Sequence, residues 1–286
     1  MTATPTATDT IWIDVPDGRL AAEDLGPRDG APILLVHSAI VNRRAWDGVV
    51  PHLTGAGYRV LTYDLRGYGD SLAQEVDYAA HEDLIAVLDH FGVSQAAVVG
   101  NSMGAVFAMD AVLAAPARFA AYVWVAGGIG GFDKEPTGAE LALFDAEEAA
   151  EEAGDANLAA ELDTRIWVDG WKDGENLPST RVDPTVRAAI REWDVELVSP
   201  THVYAKRQRP ERPAIERLEE IAIPTLVVIG ELDTVGTRAA GELVAERVPG
   251  ARVVRLPDVA HIIGMEAPDR LVALILEHLA PLPRWG

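Results

Sequence analysis

Short apolar runs alternate with amphipathic stretches along most of this chain. The runs have the length and β-branched content of strands buried on both faces of a sheet, and apolar residues recur between them at helical spacing. The predicted strands are 32–36, 58–63, 97–100, 120–126, 224–229 and 251–256, and the predicted helices are 42–55, 79–91, 103–109, 238–248 and 268–279. Strands that alternate with helices predict parallel pairing, right-handed crossovers and an α/β fold.

Two regions depart from this alternation. Residues 10–24 alternate apolar and polar positions around Pro16-Asp17-Gly18, which predicts an antiparallel hairpin. Between 128 and 220 the strands stop, and helical stretches are predicted at 140–152, 157–166 and 184–197. We therefore predict an α/β core formed by 1–127 and 221–286, with 128–220 inserted as a helical cap. Residues 1–9 are expected to form a disordered tail.

Composition removes several classes of function. Acidic residues outnumber basic ones by 45 to 24, for a net charge of −21. This charge argues against nucleic-acid binding, because a surface that binds nucleic-acid phosphates needs clustered Lys and Arg. No apolar run approaches the roughly 20 residues of a membrane helix, and the first residues lack a signal-peptide pattern. Without Cys, disulfides and thiolate metal sites are excluded. We expect a cytoplasmic monomer or homodimer with neither nucleic-acid nor membrane partners.

One apolar run ends in a serine turn. The spacing Gly100-x-Ser102-x-Gly104 follows a predicted strand and precedes the apolar stretch 105–109. In a nucleophile elbow, a strand turns sharply into a helix and holds a serine in a strained conformation at the apex. Glycine is needed on both sides because a side chain there would collide with the neighbouring strand or helix. The order of strand, serine and helix predicts Ser102 as a nucleophile.

Ser102, Asp233 and His261 stand at or just beyond the ends of three predicted strands, in that chain order. Positions beyond the carboxyl ends of parallel strands can converge at one edge of the sheet. A serine hydroxyl needs an imidazole to take its proton, and a carboxylate must hold that imidazole in the useful tautomer. We predict His261 as the base and Asp233 as the orienting acid, with Glu231 as the nearest competitor for the acid.

Acyl transfer also needs hydrogen-bond donors for the oxyanion. The backbone N–H of Met103, directly after the serine, is predicted to supply one, and the N–H of Ala39, in the loop after strand 32–36, the other. His37 is expected to brace that loop. The aromatic residues of the cap either pack it onto the core or line an apolar substrate pocket. The predicted pocket residues are Ser38, Ile40, Trp167, Trp171 and Trp193.

Four motifs together resemble the capped serine hydrolases of the α/β-hydrolase superfamily, of the esterase, enol-lactonase and haloperoxidase-like kind, over about residues 10–280. The motifs are Gly100-Asn101-Ser102-Met103-Gly104, Asp64-Leu65-Arg66-Gly67-Tyr68-Gly69-Asp70-Ser71, Gly230-Glu231-Leu232-Asp233, and Ala260-His261 followed by Glu266-Ala267-Pro268. The resemblance implies a mostly parallel central sheet with helices on both faces and a helical cap. It also implies that Ser102 is the nucleophile, Asp233 the acid and His261 the base. Asp64 and Arg66 are expected to stabilise their turn as an ion pair.

The resemblance implies hydrolysis of a small-molecule carboxylic ester or lactone through an acyl-serine intermediate, without a metal or cofactor. Three alternatives stay open: a carbon–carbon bond hydrolase, a biosynthetic acyltransferase or cyclase using the same triad, and a ligand-binding receptor with negligible turnover. The usual His-Gly pair of the oxyanion loop is His37-Ser38 here, whereas carbon–carbon hydrolases usually carry a glycine-rich loop. Epoxide hydrolases and haloalkane dehalogenases of this fold use aspartate where Ser102 stands.

Overall fold

A central sheet of nine strands organises the computed structural model, which describes residues 10–136, 138–199, 201–203 and 205–286. The predicted tail at 1–9 lies outside the described residues. The strands are β1 Ile11–Val15, β2 Gly18–Leu25, β3 Pro32–Val36, β4 Arg59–Tyr63, β5 Leu72–Ala73, β6 Asp77–Tyr78, β7 Ala96–Asn101, β8 Phe119–Val125, β9 Trp171–Lys172, β10 Glu175–Asn176, β11 Lys206–Arg207, β12 Thr225–Gly230 and β13 Arg252–Leu256.

Nine α-helices belong to the described part of the chain. They are α1 Val50–Gly55, α2 Ala80–His90, α3 Met103–Ala114, α4 Ala139–Glu152, α5 Ala156–Asp163, α6 Pro184–Leu197, α7 Val235–Arg247, α8 Ile263–Glu266 and α9 Pro268–Leu279. None of these described helices combines the length and apolar character that crossing a membrane requires.

The sheet is antiparallel at one edge and parallel through its centre. Its order is β1-β2-β4-β3-β7-β8-β12-β13, with β5 paired to β2. The predicted hairpin at 10–24 forms the antiparallel edge as β1 and β2, and every pair from β4 to β13 is parallel. Because parallel strands end at the same edge, the segments after β3, β7, β12 and β13 lie close together.

Alternate residues of the central strands face opposite helical layers. Leu34 and Val98 pack with α2, α3 and α7 on one face, and Leu35 and Val99 pack with α1 and α9 on the other. The strands are apolar at successive positions because both faces are covered, as is usual for parallel sheets. The chain therefore has the α/β-hydrolase fold that the motifs imply, with helices on both faces of a mostly parallel sheet.

The predicted helix at 42–55 is two separate pieces. A 3₁₀ turn at Arg43–Trp46 begins at Asn42, whose side chain accepts the Arg44 N–H at 3.0 Å. The α-helix begins later, at Val50. Pro51 suits that first helical turn because its missing N–H would have no partner there.

Between β8 and β12 the chain leaves the sheet and forms α4, α5 and α6, which contact one another in sequence order. Asp183 caps α6 by accepting the Thr185 N–H at 2.8 Å. The predicted helix at 157–166 ends as an α-helix at Asp163 and continues as a π-helical turn, Thr164–Asp169. The division into a core and a cap at 128–220 remains a prediction, and we refer to these residues below as the 128–220 segment.

Candidate active site

Ser102 occupies a strained turn between β7 and α3. Its backbone has φ 54° and ψ −119°, a conformation that costs a non-glycine residue roughly 1–3 kcal/mol unless the surroundings enforce it. The Ser102 N–H donates to the Val125 carbonyl at 3.0 Å. The serine side chain does not cap α3. The turn therefore places the hydroxyl at the N-terminus of α3, where it makes no capping hydrogen bond to the helix.

The two flanking glycines allow this turn to sit against the sheet. A Cβ atom on Gly100 would lie 2.5 Å from the Gly104 carbonyl oxygen, and one on Gly104 would lie 2.3 Å from the Val36 carbonyl oxygen. Both distances are far below van der Waals contact, and the obstructing atoms are backbone. The collisions predicted from the sequence are therefore present in the structure.

His261 and Asp233 form a buried pair in the loops after β13 and β12. His261 Nδ1 lies 2.7 Å from Asp233 Oδ2, and the side chains are only 3% and 0% exposed. Asp233 Oδ1 also accepts the Thr234 N–H at 2.7 Å, which fixes the carboxylate. Because Asp233 accepts the proton on Nδ1, Nε2 is the imidazole nitrogen left to act as a base.

Several contacts hold the His261 loop in place. Asn101, the last residue of β7, donates its amide Nδ2 to the carbonyls of Val125 and His261, each at 3.1 Å. Glu266 Oε2 accepts the Ala260 N–H at 3.0 Å. Sequence reasoning missed this role of Asn101. The signal was available, because a polar side chain at the end of a fully buried strand requires a hydrogen-bond partner.

Ser102 and His261 line two neighbouring cavities. The larger cavity, of about 660 Å³, is bordered by α3 and by glycine-rich chain at 127–131. The smaller cavity, of about 220 Å³, lies between the loop after β3 and helices α5 and α6. Trp167 borders both cavities together with Ser102 and His261. Residues of the 128–220 segment therefore enclose the serine and the histidine on two sides.

Each candidate oxyanion donor borders one of the two cavities that Ser102 lines. Met103 is the first residue of α3 and lines the larger cavity, so its N–H has no intrahelical acceptor and lies at the positive end of the helix dipole. Ala39 lines the smaller cavity beside Ser102. Their use as oxyanion donors remains a prediction.

His37 braces the loop that carries Ala39, as expected. The Leu65 N–H donates to its Nε2 at 2.8 Å, so the imidazole proton belongs on Nδ1, which donates to the Ser38 carbonyl at 2.7 Å. Burial lowers the pKa of His37 to about 4. The imidazole is therefore neutral at physiological pH and serves as a fixed connection between two loops.

The expected ion pair between Asp64 and Arg66 is wrong. Asp64 instead pairs with the Arg43 guanidinium and accepts the Arg43 N–H at 2.7 Å. Arg66 extends to α2 and donates to both carboxylate oxygens of Asp83 at 2.9 and 2.6 Å. The long arginine side chain reaches across to a neighbouring helix, while the short aspartate is enclosed within its own turn.

The structure separates the five predicted pocket residues. Ser38 and Ile40 line the smaller cavity, and Trp167 lines both. Among the described residues that line these cavities, neither Trp171 nor Trp193 occurs. Trp171 is buried and donates its indole N–H to the Ile166 carbonyl at 3.0 Å, and Trp193 packs in a small apolar cluster between α6 and the core. These two tryptophans therefore have a packing role and do not line the cavities beside Ser102.

Trp167 connects the 128–220 segment to the candidate base. Its ring centroid is 4.5 Å from that of His261, with the planes tilted by 42°. Its carbonyl accepts the His261 N–H at 3.3 Å, and its indole N–H donates to Asp163 Oδ1 at 3.0 Å. The π-helical turn that carries it is a type of distortion often found at functional sites.

A pair of buried carboxyls, Asp163 on α5 and Asp194 on α6, lies close enough for each to shift the pKa of the other. Burial raises the pKa of Asp163 to about 6. Burial, and then the neighbouring Asp163 charge, raises the pKa of Asp194 to about 9. Sequence reasoning missed this pair. The signal for Asp194 was its helical spacing from Ile190 and Leu197, which places it on the buried face of α6.

This fold and site define a hydrolase-type α/β protein, with a serine at a strand–helix turn and a histidine–aspartate pair beside it. The chain belongs to the α/β hydrolase family, whose model matches residues 33–274.

Relatives match this chain over nearly its whole length. Rhodomycin D methylesterase DnrP of Streptomyces peucetius is 26% identical, and the matched region covers 91% of this chain and 94% of the methylesterase. The 3-oxoadipate enol-lactonase 1 of Acinetobacter baylyi is also 26% identical, covering 89% and 91%. A thermophilic esterase from Thermogutta terrifontis, solved with malate bound, is 25% identical with a TM-score of 0.76, covering 96% and 99%.

Proposed function

We propose that this protein hydrolyses a carboxylic ester or lactone through an acyl-serine intermediate. The observation that carries the proposal is the buried pair of His261 and Asp233, with 2.7 Å between Nδ1 and Oδ2, in which His261 lines the same two cavities as Ser102. The relatives support this reaction class, because those named above are a methylesterase, an enol-lactonase and an esterase.

In the first half of the reaction, Ser102 Oγ attacks the carbonyl carbon of the substrate while His261 Nε2 takes the hydroxyl proton. The N–H groups of Met103 and Ala39 stabilise the negative charge that develops on the carbonyl oxygen. The tetrahedral intermediate collapses, the carbon–oxygen bond of the ester breaks, and His261 returns the proton to the leaving alcohol.

In the second half, water attacks the acyl-serine carbonyl and His261 takes the proton of that water. Collapse of the second intermediate releases the carboxylic acid, and Ser102 recovers its proton from His261. Asp233 holds the imidazole in one orientation and stabilises the imidazolium in both halves. The 128–220 segment acts as a cap that forms much of the cavity wall.

The test replaces the nucleophile. Ser102→Ala should lower kcat for activated short-chain esters such as p-nitrophenyl butyrate by roughly 10⁴-fold or more and should abolish covalent labelling by a fluorophosphonate probe. Ser94→Ala removes an exposed serine hydroxyl just before β7 and is the matched control, expected to behave like the wild type.

Thermal unfolding should show that both variants are folded. Turnover by Ser102→Ala near that of the wild type would refute the assignment. Stoichiometric labelling of wild-type Ser102 without turnover on any ester would instead favour a binding role.

A further inference from the structure

The smaller cavity beside Ser102 is acidic. Its lining includes Glu151, Asp163 and Asp194, contributed by α4, α5 and α6, and none of the described residues that line it is Lys or Arg. The larger cavity differs, since it is lined by Lys134 and Arg207 as well as by acids. The two sides of the candidate nucleophile therefore present different charges to a substrate.

Asp194 supplies the observation that points to a ligand. The residue is only 1% exposed, and within the described residues its Oδ2 has no hydrogen-bond donor. The charges that act on this carboxyl are those of Asp163, Glu147 and Glu151. A buried carboxyl oxygen without a donor is destabilising, so this position is suited to a positively charged donor brought by a ligand.

Aromatic residues complete the wall of the cavity. Trp167 and Tyr68 line it together with the three acids, and aromatic faces attract ammonium groups through their negative electrostatic potential. Trp167 is fixed by its hydrogen bond to Asp163 and by its contact with the His261 ring. A cation in this cavity would therefore lie next to the reacting groups.

We propose that the smaller cavity binds a protonated amino group of the substrate, so that the preferred substrates are esters or lactones that carry an ammonium group. This inference rests on the proposed hydrolase function and specifies its substrate class. A volume of about 220 Å³ suits a small alkylammonium group, and the larger cavity, of about 660 Å³, accommodates the remainder. Because burial raises the pKa of Asp194 to about 9, the entering ammonium group displaces the proton of this carboxyl, and that proton leaves to solvent.

The experiment compares esters that differ only in the charge. One pair is 2-(dimethylamino)ethyl acetate and 3-methylbutyl acetate, in which a CH group replaces the protonated nitrogen on the alcohol side. A second series pairs methyl esters of ω-dimethylamino acids, from propanoic to hexanoic acid, with their branched-alkane counterparts. In the wild type, kcat/KM should favour the ammonium member of at least one pair by about tenfold or more, the scale of one charged hydrogen bond.

The variants test whether Asp194 causes this preference. Asp194→Asn keeps the shape of the side chain but cannot ionise to pair with a cation, and the ratio of kcat/KM between paired esters should fall to near one. Glu192→Gln removes an exposed charge from the same helix and should leave the ratio unchanged. If Asp194→Asn does not fold, Glu151→Gln, an exposed residue that lines the cavity, should lower the ratio by about threefold.

Each outcome decides the question. Ser102-dependent turnover with equal or greater preference for every neutral ester overturns the ammonium site and leaves the hydrolase function standing. A preference for ammonium esters that survives in both Asp194→Asn and Glu151→Gln also overturns it. Absence of turnover on all esters refutes the hydrolase function, and the substrate class with it.

Discussion

Gly104, the second residue of α3, connects the stability of the fold to the geometry of the site. In Gly104→Ala, the new Cβ would lie 2.3 Å from the Val36 carbonyl oxygen and 2.5 Å from that of His37. Both are backbone atoms at the end of β3, so no side-chain rotation relieves the clash. To restore ordinary contact at about 3.4 Å, the start of α3 must move away from β3 by roughly an ångström.

The expected stability change follows from two opposing effects. Replacing glycine by alanine within a helix stabilises by up to about 1 kcal/mol, whereas forcing extra atoms into a packed site costs about 1–3 kcal/mol. Because the obstruction is backbone, we take the upper end of that range and expect Gly104→Ala to lower the free energy of unfolding by about 2 kcal/mol. Gly55→Ala is the matched control, since its Cβ would meet nothing within 4 Å and it should be neutral or stabilising.

Urea unfolding of the two variants and the wild type measures this difference. The kcat/KM of Gly104→Ala should also fall. His37 begins the loop that carries Ala39, and a displacement of this loop by about 1 Å can lower kcat/KM by about 10²-fold. If Gly104→Ala is as stable as Gly55→Ala, the close approach of α3 to β3 does not constrain the turn as argued. In that case the glycine requirement must have another origin.

Three further predictions concern buried charges. Asp233→Asn should lower kcat for activated esters by about 10³- to 10⁴-fold with little change in KM, because His261 loses its orienting partner; an effect on KM alone would contradict this. Burial raises the pKa of Asp194 to about 9 in the folded state, so the free energy of unfolding should decline as pH rises from about 4 towards 9. Urea unfolding across this range should show a smaller decline in Asp194→Asn, and identical slopes would count against the burial effect. Arg66→Ala leaves the Asp83 carboxylate without its partner and should cost about 3–5 kcal/mol, whereas Arg66→Met combined with Asp83→Leu should recover most of the loss in the same assay.

The sequence predicted those features that depend on neighbours along the chain. The apolar run before Ser102 and the glycines on both sides specify a strand–turn–helix by local sterics. Asp233 and His261 could be predicted because each lies in the loop after a strand, and parallel strands bring their carboxyl ends together. The particular distance of 2.7 Å between their side chains required the structure.

The features that the sequence did not reveal depend on packing between helices. Asp163 and Asp194 belong to α5 and α6, and their approach follows from how these helices cross, which no local pattern records. Arg66 was paired with the wrong acid for the same reason, since its partner Asp83 lies on a helix that packs against the turn. The π-helical turn around Trp167 likewise has no simple sequence signature.

The hydrogen bond from the His261 N–H to the Trp167 carbonyl bears on how this protein can be redesigned. The His261 loop is also held by Arg181 of the 128–220 segment, which donates to the Asp258 carbonyl at 3.2 Å and pairs with Glu266. A chimera that exchanges the whole segment to change specificity would remove two supports of the proposed base. Transplants that retain 164–181 and vary α4 and α6 should preserve those supports while reshaping the cavity.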